Sequence, residues 1–366
     1  MFSTLLTLVL LELVLTSSRD NIYSTERLER AVQDGQELRT LYKEYLATHG
    51  HKRPSCEQKN FRLELFLREI KEILELRSNS ALTWHAGINF MADMTEPERD
   101  HMRATVANTT ANTLEGPSNL KIRKVAAPEE FDGWRKGSMI GPIHDQRKES
   151  CWAHSSVVVL EAQLAYYTKY FRQLSIQELY DCVYKDGKKF EGSGGHPEDA
   201  FEYVTSAGRL GLNADNPETH QYDPRNIIPK QQCSKAKKTA NALEGYELSI
   251  FGNVGWDGAL IEKIVCIGPV SVAIDTKHSK MGKYKGGLFT AQNCKRADHA
   301  MTAVGYTKAA FIIKNSWGEE WGEGGYLNFD RNGPVCEIFE KAVYAKLEPI
   351  YKRDEKECKL DSFIEY

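Results

Sequence analysis

The sequence pattern of this 366-residue chain changes near Gly245. Beyond that residue, short runs rich in β-branched and aromatic side chains are separated by glycines, which predicts strands at 269–274, 300–306, 310–315 and 325–329. Before it, helical spacing predicts helices at 151–170, 175–183 and 196–207, with Ser150 as a suitable N-cap for the first. Helices followed by strands predict an α+β fold of two segregated subdomains with a cleft between them.

The first hundred residues predict a separate helical unit. One apolar helix face comprises Leu38, Leu41, Tyr42, Tyr45 and Leu46, and a second comprises Phe66, Ile70, Ile73 and Leu74. Residues 87–93 are predicted to form a strand. The following stretch, 104–127, is rich in Ala, Thr and Asn and predicts an exposed linker that proteases can cut. At the other end, residues 350–366 form a charged tail.

Residues 1–18 are predicted to be a cleaved secretory signal, because a short apolar run at the extreme N-terminus ends in small residues. No later apolar run reaches ~18 residues, so we expect no membrane span in the mature protein. A secreted chain can form disulfides. Asn108, in Asn-Thr-Thr, then becomes a predicted glycosylation site.

The composition excludes several classes of function. Hydrophobic residues make up 41% of the chain, which is ordinary globular usage. The formal net charge is only −3, so we expect neither nucleic acid nor an anionic membrane as partner. The eight cysteines lack paired C-x-x-C spacing, and His196 lacks a second ligand at helical or hairpin spacing. We therefore predict no metal and no cofactor, and we expect a monomer.

Four segments contain the candidate chemistry: 142–155, 192–197, 298–306 and 312–326. Cys151 would lie in the first turn of a helix, where unpaired backbone N–H groups favour the thiolate. A nearby imidazole would complete a thiolate–imidazolium pair suited to acyl transfer.

With these segments, the sequence resembles the papain-like cysteine peptidases, and within them the cathepsin L group, from about residue 38 to about residue 350. His299 follows Cys151 by 148 residues, within the ~130–150 typical of that family. The resemblance implies an endopeptidase with an acyl-enzyme intermediate. Cys151 would be the nucleophile, His299 the base and acid, and Asn315 the group that orients the imidazole. Trp317 would shield that pair, and Gln146 would donate to the oxyanion.

The resemblance also implies how peptide substrates bind. Gly194 and Gly195 match paired glycines whose backbone pairs with an extended substrate, and His196 and Pro197 follow where the family builds its main specificity pocket. Asp298 precedes His299 beside the cleft. Two disulfides are implied, Cys182–Cys233 and Cys294–Cys336. Cys56, Cys266 and Cys358 are left over, and Cys266 is expected to be a buried thiol.

A family member of this kind is made as a zymogen. Residues 19–103 would be the inhibitory prosegment, because Arg62, Phe66 and Ile73 match its helix motif and Asn89, Ala92 and Asp93 match its second motif. The peptidase domain would span 128–349, with a helical half at about 138–244 and a β-barrel-like half at about 245–345. The implied location is the secretory pathway, either secreted or lysosomal.

The loop before the nucleophile departs from the family pattern. Glu149 and Ser150 precede Cys151 where Cys-Gly-Ser is usual, Gly192 replaces the partner of the missing cysteine, and the interval from Gln146 is one residue shorter. Glu149 would repel acidic residues before the scissile bond or oppose the ion pair. Two alternatives follow: a weakly active or inactive papain-fold binding protein, and an acyl-transfer enzyme that favours ligation over hydrolysis.

Overall fold

The computed structural model describes residues 22–49, 59–103, 126–146, 149–183, 194–214, 233, 239–252, 258–291, 294–332, 338 and 342–350. We call residues 22–103 the N-terminal segment and residues 126–350 the main unit. Several predicted features lie outside the described residues: the signal at 1–18, Asn108, most of the linker, Cys336, and the tail after Ile350.

The described part of the N-terminal segment begins with the helices α1 (Thr25–Gln33), α2 (Gly35–His49) and α3 (Lys59–Ser78). The two predicted apolar faces are buried, apart from partly exposed Leu46 and Leu74. The strand prediction for 87–93 was wrong, since the strand β1 is Trp84–Ala86. Asn89 turns the chain there: its Oδ1 accepts from Met91 N at 3.0 Å and its carbonyl accepts from Ala92 N at 3.0 Å. A short helix, α4 (Glu96–Asp100), follows.

The helical half of the main unit is built around one buried helix. It contains α5 (Gly133–Lys136), α6 (Cys151–Thr168), α7 (Ile176–Cys182) and α8 (Pro197–Ala207). Every residue of α6 from Cys151 to Ala165 is buried, as expected for a helix without a polar face. Ser150 is the N-cap, but its hydroxyl makes no capping bond. The predicted N-cap position is therefore confirmed, without the side-chain bond that such a residue usually makes. Instead the Ser150 carbonyl accepts from Ala153 N and His154 N.

The second half is a six-stranded antiparallel sheet with the order β2-β8-β3-β5-β6-β7. Its strands are β2 (Tyr246–Gly252), β3 (Val270–Ile274), β5 (His299–Tyr306), β6 (Ala310–Lys314), β7 (Tyr326–Asp330) and β8 (Val343–Pro349). Helix α9 (Gly258–Ile267) departs from the expected run of strands. Periodicity alone does not separate a short buried helix from a strand when the run is apolar throughout.

The N-terminal segment is bound to the main unit by backbone pairing. Strand β1 pairs antiparallel with β4 (Tyr284–Gly287) in a two-stranded sheet. Thr83 extends this contact, accepting from Leu288 N at 3.0 Å and donating to the Leu288 carbonyl at 2.6 Å. Side chains of both parts share one hydrophobic cluster that includes Tyr45, Phe66, Tyr284 and Trp321. The segment is therefore packed as part of the core.

Charged groups reinforce this interface. Lys283 is buried and its Nζ lies 3.1 Å from Glu69 and 3.0 Å from Glu72, both on α3. Burial opposes ionisation of Glu72, but the Lys283 ammonium lowers the pKa of that carboxyl below its usual 4.5. The interface thus favours the ionised carboxylate.

Cys182 and Cys233 form a disulfide that closes a loop of 51 residues. Cys294 is also disulfide-bonded, whereas Cys151 and Cys266 are buried thiols. Among the described helices, none is both long enough and apolar enough to cross a bilayer.

Candidate active site

Cys151 is the first residue of α6 and is fully buried. The backbone N–H of Ala300 donates to its Sγ at 3.3 Å. His299 and Ala300 are the first two residues of β5, and His299 is in register with Ile274 of β3. The sheet therefore brings the imidazole to the N-terminal end of the helix, where the cysteine lies.

The His299 ring is oriented by Asn315. Nε2 of His299 donates to Oδ1 of Asn315 at 2.7 Å. The same oxygen accepts the backbone N–H of Ser316 at 2.8 Å, and this second donor establishes that Oδ1 is the acceptor. In the neutral ring the proton is therefore on Nε2, so Nδ1 has the free lone pair. Nδ1 is buried and has no hydrogen-bond partner, which suits it to accept a proton.

The indole of Trp317 covers the imidazole. The two ring centroids are 4.4 Å apart with planes at 27°, and both side chains are buried. Burial lowers the pKa of His299 to about 3, and the positive charge of Arg103 contributes to this, while the bond to Asn315 opposes it. His299 is therefore neutral above pH 4 while the N-terminal segment is in place.

Gln146, the predicted oxyanion donor, is held in place by Ser316. Its backbone N–H donates to the Ser316 carbonyl at 2.7 Å, and its side-chain carbonyl accepts from the Ser316 hydroxyl. These contacts point the NH₂ group outward, and Nε2 donates to the carbonyl of Met102 at 3.0 Å. Trp317 Nε1 donates to the same carbonyl at 3.3 Å. A carbonyl of the N-terminal segment thus occupies the two donors.

The predicted substrate-binding residues Gly194–Pro197 lie at the start of α8. Gly194 is buried with φ 59°, a conformation that favours glycine, and His196 and Pro197 are the N-cap and first residue of α8. Ser156 of α6 donates to the Pro197 carbonyl at 3.5 Å. Their role in substrate binding stays a prediction.

Asp298 accepts hydrogen bonds from the residues that follow β3. It accepts from Thr276 N at 2.8 Å, Thr276 Oγ1 at 2.7 Å and Lys277 N at 3.2 Å. Arg103 is 4.0 Å away. Burial raises the pKa of Asp298, against these hydrogen bonds. The residue therefore holds the chain after β3 in place beside the cleft.

Four residues that contact the site were not predicted from the sequence. Ser316 orients Gln146, and its position beside Asn315 was the available signal. Met102 and Arg103 reach the site from the N-terminal segment, and His101 pairs with Glu149 at 2.5 Å. Nothing in the local pattern around residues 101–103 indicates these contacts, because they depend on how the segment docks.

A buried thiol at a helix N-terminus, an imidazole oriented by an amide and a nearby amide donor together define the site of a thiol-dependent acyl-transfer enzyme. Comparison with known proteins agrees. Residues 127–346 match the model of the papain family cysteine proteases, Peptidase_C1. The chain is 29% identical to papain of Carica papaya over 334 residues, which cover 89% of each protein.

Solved structures share the fold, including the N-terminal segment. The proform of a ragweed pollen cysteine protease has a TM-score of 0.72 at 23% identity, covering 89% of this chain and 98% of that one. A digestive procathepsin L 3 of Tenebrio molitor has a TM-score of 0.68 at 25% identity, covering 84% and 98% respectively. The chain belongs to the papain family of cysteine proteases, and its fold is the α+β, two-subdomain fold of that family preceded by a helical segment.

Proposed function

We propose that this protein is a cysteine endopeptidase made as a zymogen, with Cys151, His299 and Asn315 as its catalytic triad and Gln146 as an oxyanion donor. The observation that carries the proposal is the His299–Asn315 bond of 2.7 Å, which leaves Nδ1 of His299 as the basic nitrogen, in the residue before the Ala300 whose N–H contacts the thiol. Trp317 supports this role by covering the ring and excluding water from that bond.

In the proposed reaction His299 Nδ1 takes the proton of the Cys151 thiol, and Sγ attacks the peptide carbonyl carbon. The oxyanion receives hydrogen bonds from Gln146 Nε2 and the backbone N–H of Cys151. The C–N bond then breaks, and His299 gives its proton to the leaving amine. Water, deprotonated by His299, attacks the thioester, which releases the carboxylic acid and regenerates the thiol. Each step uses only residues of this chain, the peptide and water.

We further propose that residues 19–103 inhibit the enzyme by occupying the cleft. The Met102 carbonyl supports this role, because it takes the two donors, Gln146 Nε2 and Trp317 Nε1, that a substrate carbonyl would approach. The proforms among the similar structures support the same arrangement. Cleavage in the linker at 104–127 would release the segment and leave a peptidase domain of 128–349, with its charged tail at 350–366.

The finer assignments follow from this proposal. Protein and peptide substrates would lie along Gly194–Pro197, with Asp298 and Trp317 on the facing wall. The predicted signal at 1–18 and the disulfide Cys182–Cys233 support transit through the secretory pathway, with Asn108 as a glycosylation site and Cys294–Cys336 as a second bridge. We expect the released peptidase to be a monomer.

Active-site labelling tests the proposal. The full chain, before and after processing in acid, is treated with an epoxide thiol reagent and with a fluorogenic dipeptide amide. We expect labelling at Cys151 and amide cleavage only after processing, and neither in a Cys151→Ala variant. A processed protein that is labelled but cleaves no amide would favour a papain-fold binding protein. Capture of the acyl group by an added amine in preference to water would favour a ligase. A processed protein that shows neither labelling nor cleavage would rule out the peptidase.

A further inference from the structure

Glu149 lies between the two groups that are proposed to act on the scissile carbonyl. Gln146 comes three residues before it and Cys151 two residues after it. The loop is anchored at this point, because Trp152 Nε1 donates to the Glu149 carbonyl at 3.0 Å. A peptide whose carbonyl reaches both Gln146 and Cys151 would therefore lie against the loop that contains Glu149.

In the intact chain, the side chain of His101 from the N-terminal segment contacts the Glu149 carboxylate. His101 Nδ1 lies 2.5 Å from Glu149 Oε1, and the Glu149 side chain is only 14% exposed beneath it. The next residue, Met102, supplies the carbonyl held by Gln146. Two consecutive residues of the segment therefore contact the proposed oxyanion donor and the carboxylate: Met102 accepts from Gln146, and His101 pairs with Glu149.

The carboxylates of Asp298 and Glu149 differ in their hydrogen-bond and ion-pair partners. Asp298 accepts three hydrogen bonds from Thr276 and Lys277, all within the main unit. Among the described residues, the only side chain within ion-pair distance of the Glu149 carboxylate is His101, which leaves with the segment. Arg147 and Lys148 of the same loop lie outside the described residues. Removal of the segment thus exposes Glu149 while Asp298 keeps its partners.

Departure of the segment also changes the balance of charge. Arg103, which lies 4.0 Å from Asp298 and pairs with Glu96 and Asp100 at 2.8 Å, leaves together with His101. Glu96 and Asp100 leave with Arg103 and release Lys277 of the main unit, so the change at Glu149 itself is the loss of its partner His101. A cationic substrate side chain would restore the pairing that His101 provides.

We propose that Glu149 forms a carboxylate subsite which selects peptides with arginine or lysine at the residue that supplies the scissile carbonyl, and that His101 occupies this subsite in the intact chain. The proposal rests on the peptidase function proposed above. It assigns a specificity role to a residue at which the nucleophile loop departs from the family pattern.

The test compares two fluorogenic peptides that differ only in arginine or citrulline at that residue, since citrulline has the shape of arginine without its charge. Processed wild-type enzyme, Glu149→Gln and the control Glu129→Gln are assayed with both peptides. Glu129 is a suitable control because it is an exposed carboxylate paired with Lys308 on the surface. The readout is the ratio of kcat/KM for arginine over citrulline, in which any general change in the active site cancels.

We expect the wild-type ratio to be about tenfold or more, as for a charge-assisted hydrogen bond in a partly buried site. The ratio should shrink with added salt. It should fall to within about threefold in Glu149→Gln and stay unchanged in Glu129→Gln. A wild-type ratio near one, or a preference that Glu149→Gln retains, would overturn the subsite.

The wild-type ratio and its salt dependence decide the question even if Glu149→Gln does not fold. Failure of the subsite is distinguishable from failure of the peptidase proposal. Equal cleavage of both peptides would sink only the subsite. A processed enzyme that cleaves neither peptide and resists the epoxide reagent would overturn both.

Discussion

The carbonyl oxygen of Met102 accepts a hydrogen bond from Nε2 of Gln146 at 3.0 Å. The donor proposed to stabilise the oxyanion is therefore occupied by the chain's own N-terminal segment. Trp317, which covers the catalytic imidazole, donates to the same carbonyl. The proposed inhibition of the intact chain and the proposed catalysis of the processed enzyme thus use the same side chains, and this shared use leads to the predictions below.

Gln146→Ala should lower kcat of the processed enzyme by about 10²–10³-fold, because a tetrahedral oxyanion loses one of its two donors. KM should change less, since the interaction strengthens in the transition state. Steady-state kinetics with a dipeptide amide measures both constants. Gln173→Ala, at an exposed position, is the matched control and should behave as wild type. A kcat within threefold of wild type would remove Gln146 from the oxyanion site.

Asn315→Ala should lower kcat/KM by about 10–10²-fold, the size of a lost hydrogen bond to a charged group. The loss arises because Oδ1 of Asn315 holds both His299 Nε2 and the Ser316 N–H. Asn315→Asp keeps an acceptor oxygen and should lose less, while its negative charge moves the pH–rate profile upward. Equal losses in the two variants would show that the hydrogen bond to His299 is not what matters.

Lys283→Gln should make the N-terminal segment dissociate at a higher pH. In the intact chain, the Lys283 ammonium lowers the pKa of Glu72 below 4.5 although burial opposes this. Docking of the segment is therefore favoured above pH 4.5 and is lost as the pH falls through the lowered pKa of Glu72. Without the Lys283 ammonium, only Lys280 and Arg99 oppose the effect of burial, so the pKa of Glu72 rises and release begins earlier in an acid titration.

Hydrogen exchange at the β1–β4 pairing measures this release between about pH 3 and about pH 6 in a Cys151→Ala background, which prevents self-cleavage. Lys285→Gln is the control, because Lys285 lies only two residues further along the chain, in β4, but is exposed. A release midpoint that does not rise in Lys283→Gln would contradict the prediction.

Arg103→Gln should raise the pKa of His299 in the intact chain. Burial is the main cause of the low value of about 3, and the positive charge of Arg103 adds to it. Removing that charge favours the imidazolium, but the pKa should stay below 6.5 because the ring is still buried. An NMR titration of the imidazole in a Cys151→Ala background measures the change. Lys308→Gln, on the surface, should leave the pKa of His299 unchanged. An unchanged pKa in Arg103→Gln would contradict the proposed effect of the Arg103 charge.

Local patterns predicted much of the architecture. The apolar faces of α2 and α3, the buried helix α6 and four strands of the sheet follow from periodicity over a few residues. The predictions failed where a tertiary contact or a side chain overrides the pattern. Asn89 makes a turn in a run that resembles a strand, and α9 is a helix whose apolar sequence gives no period to recognise.

The candidate site divides in the same way. The sequence by itself determined which residues are the candidates for catalysis, because Cys151, His299 and Asn315 lie in short motifs whose order and spacing are visible without a fold. Only the tertiary structure decided that Nδ1 of His299 is the basic nitrogen, that Met102 fills the oxyanion donor, and that His101 covers Glu149. The reason is physical. Met102 and Gln146 are 44 positions apart and His101 and Glu149 are 48 apart, so these contacts depend on where the segment docks, which no local pattern specifies. The pKa of His299 likewise depends on burial.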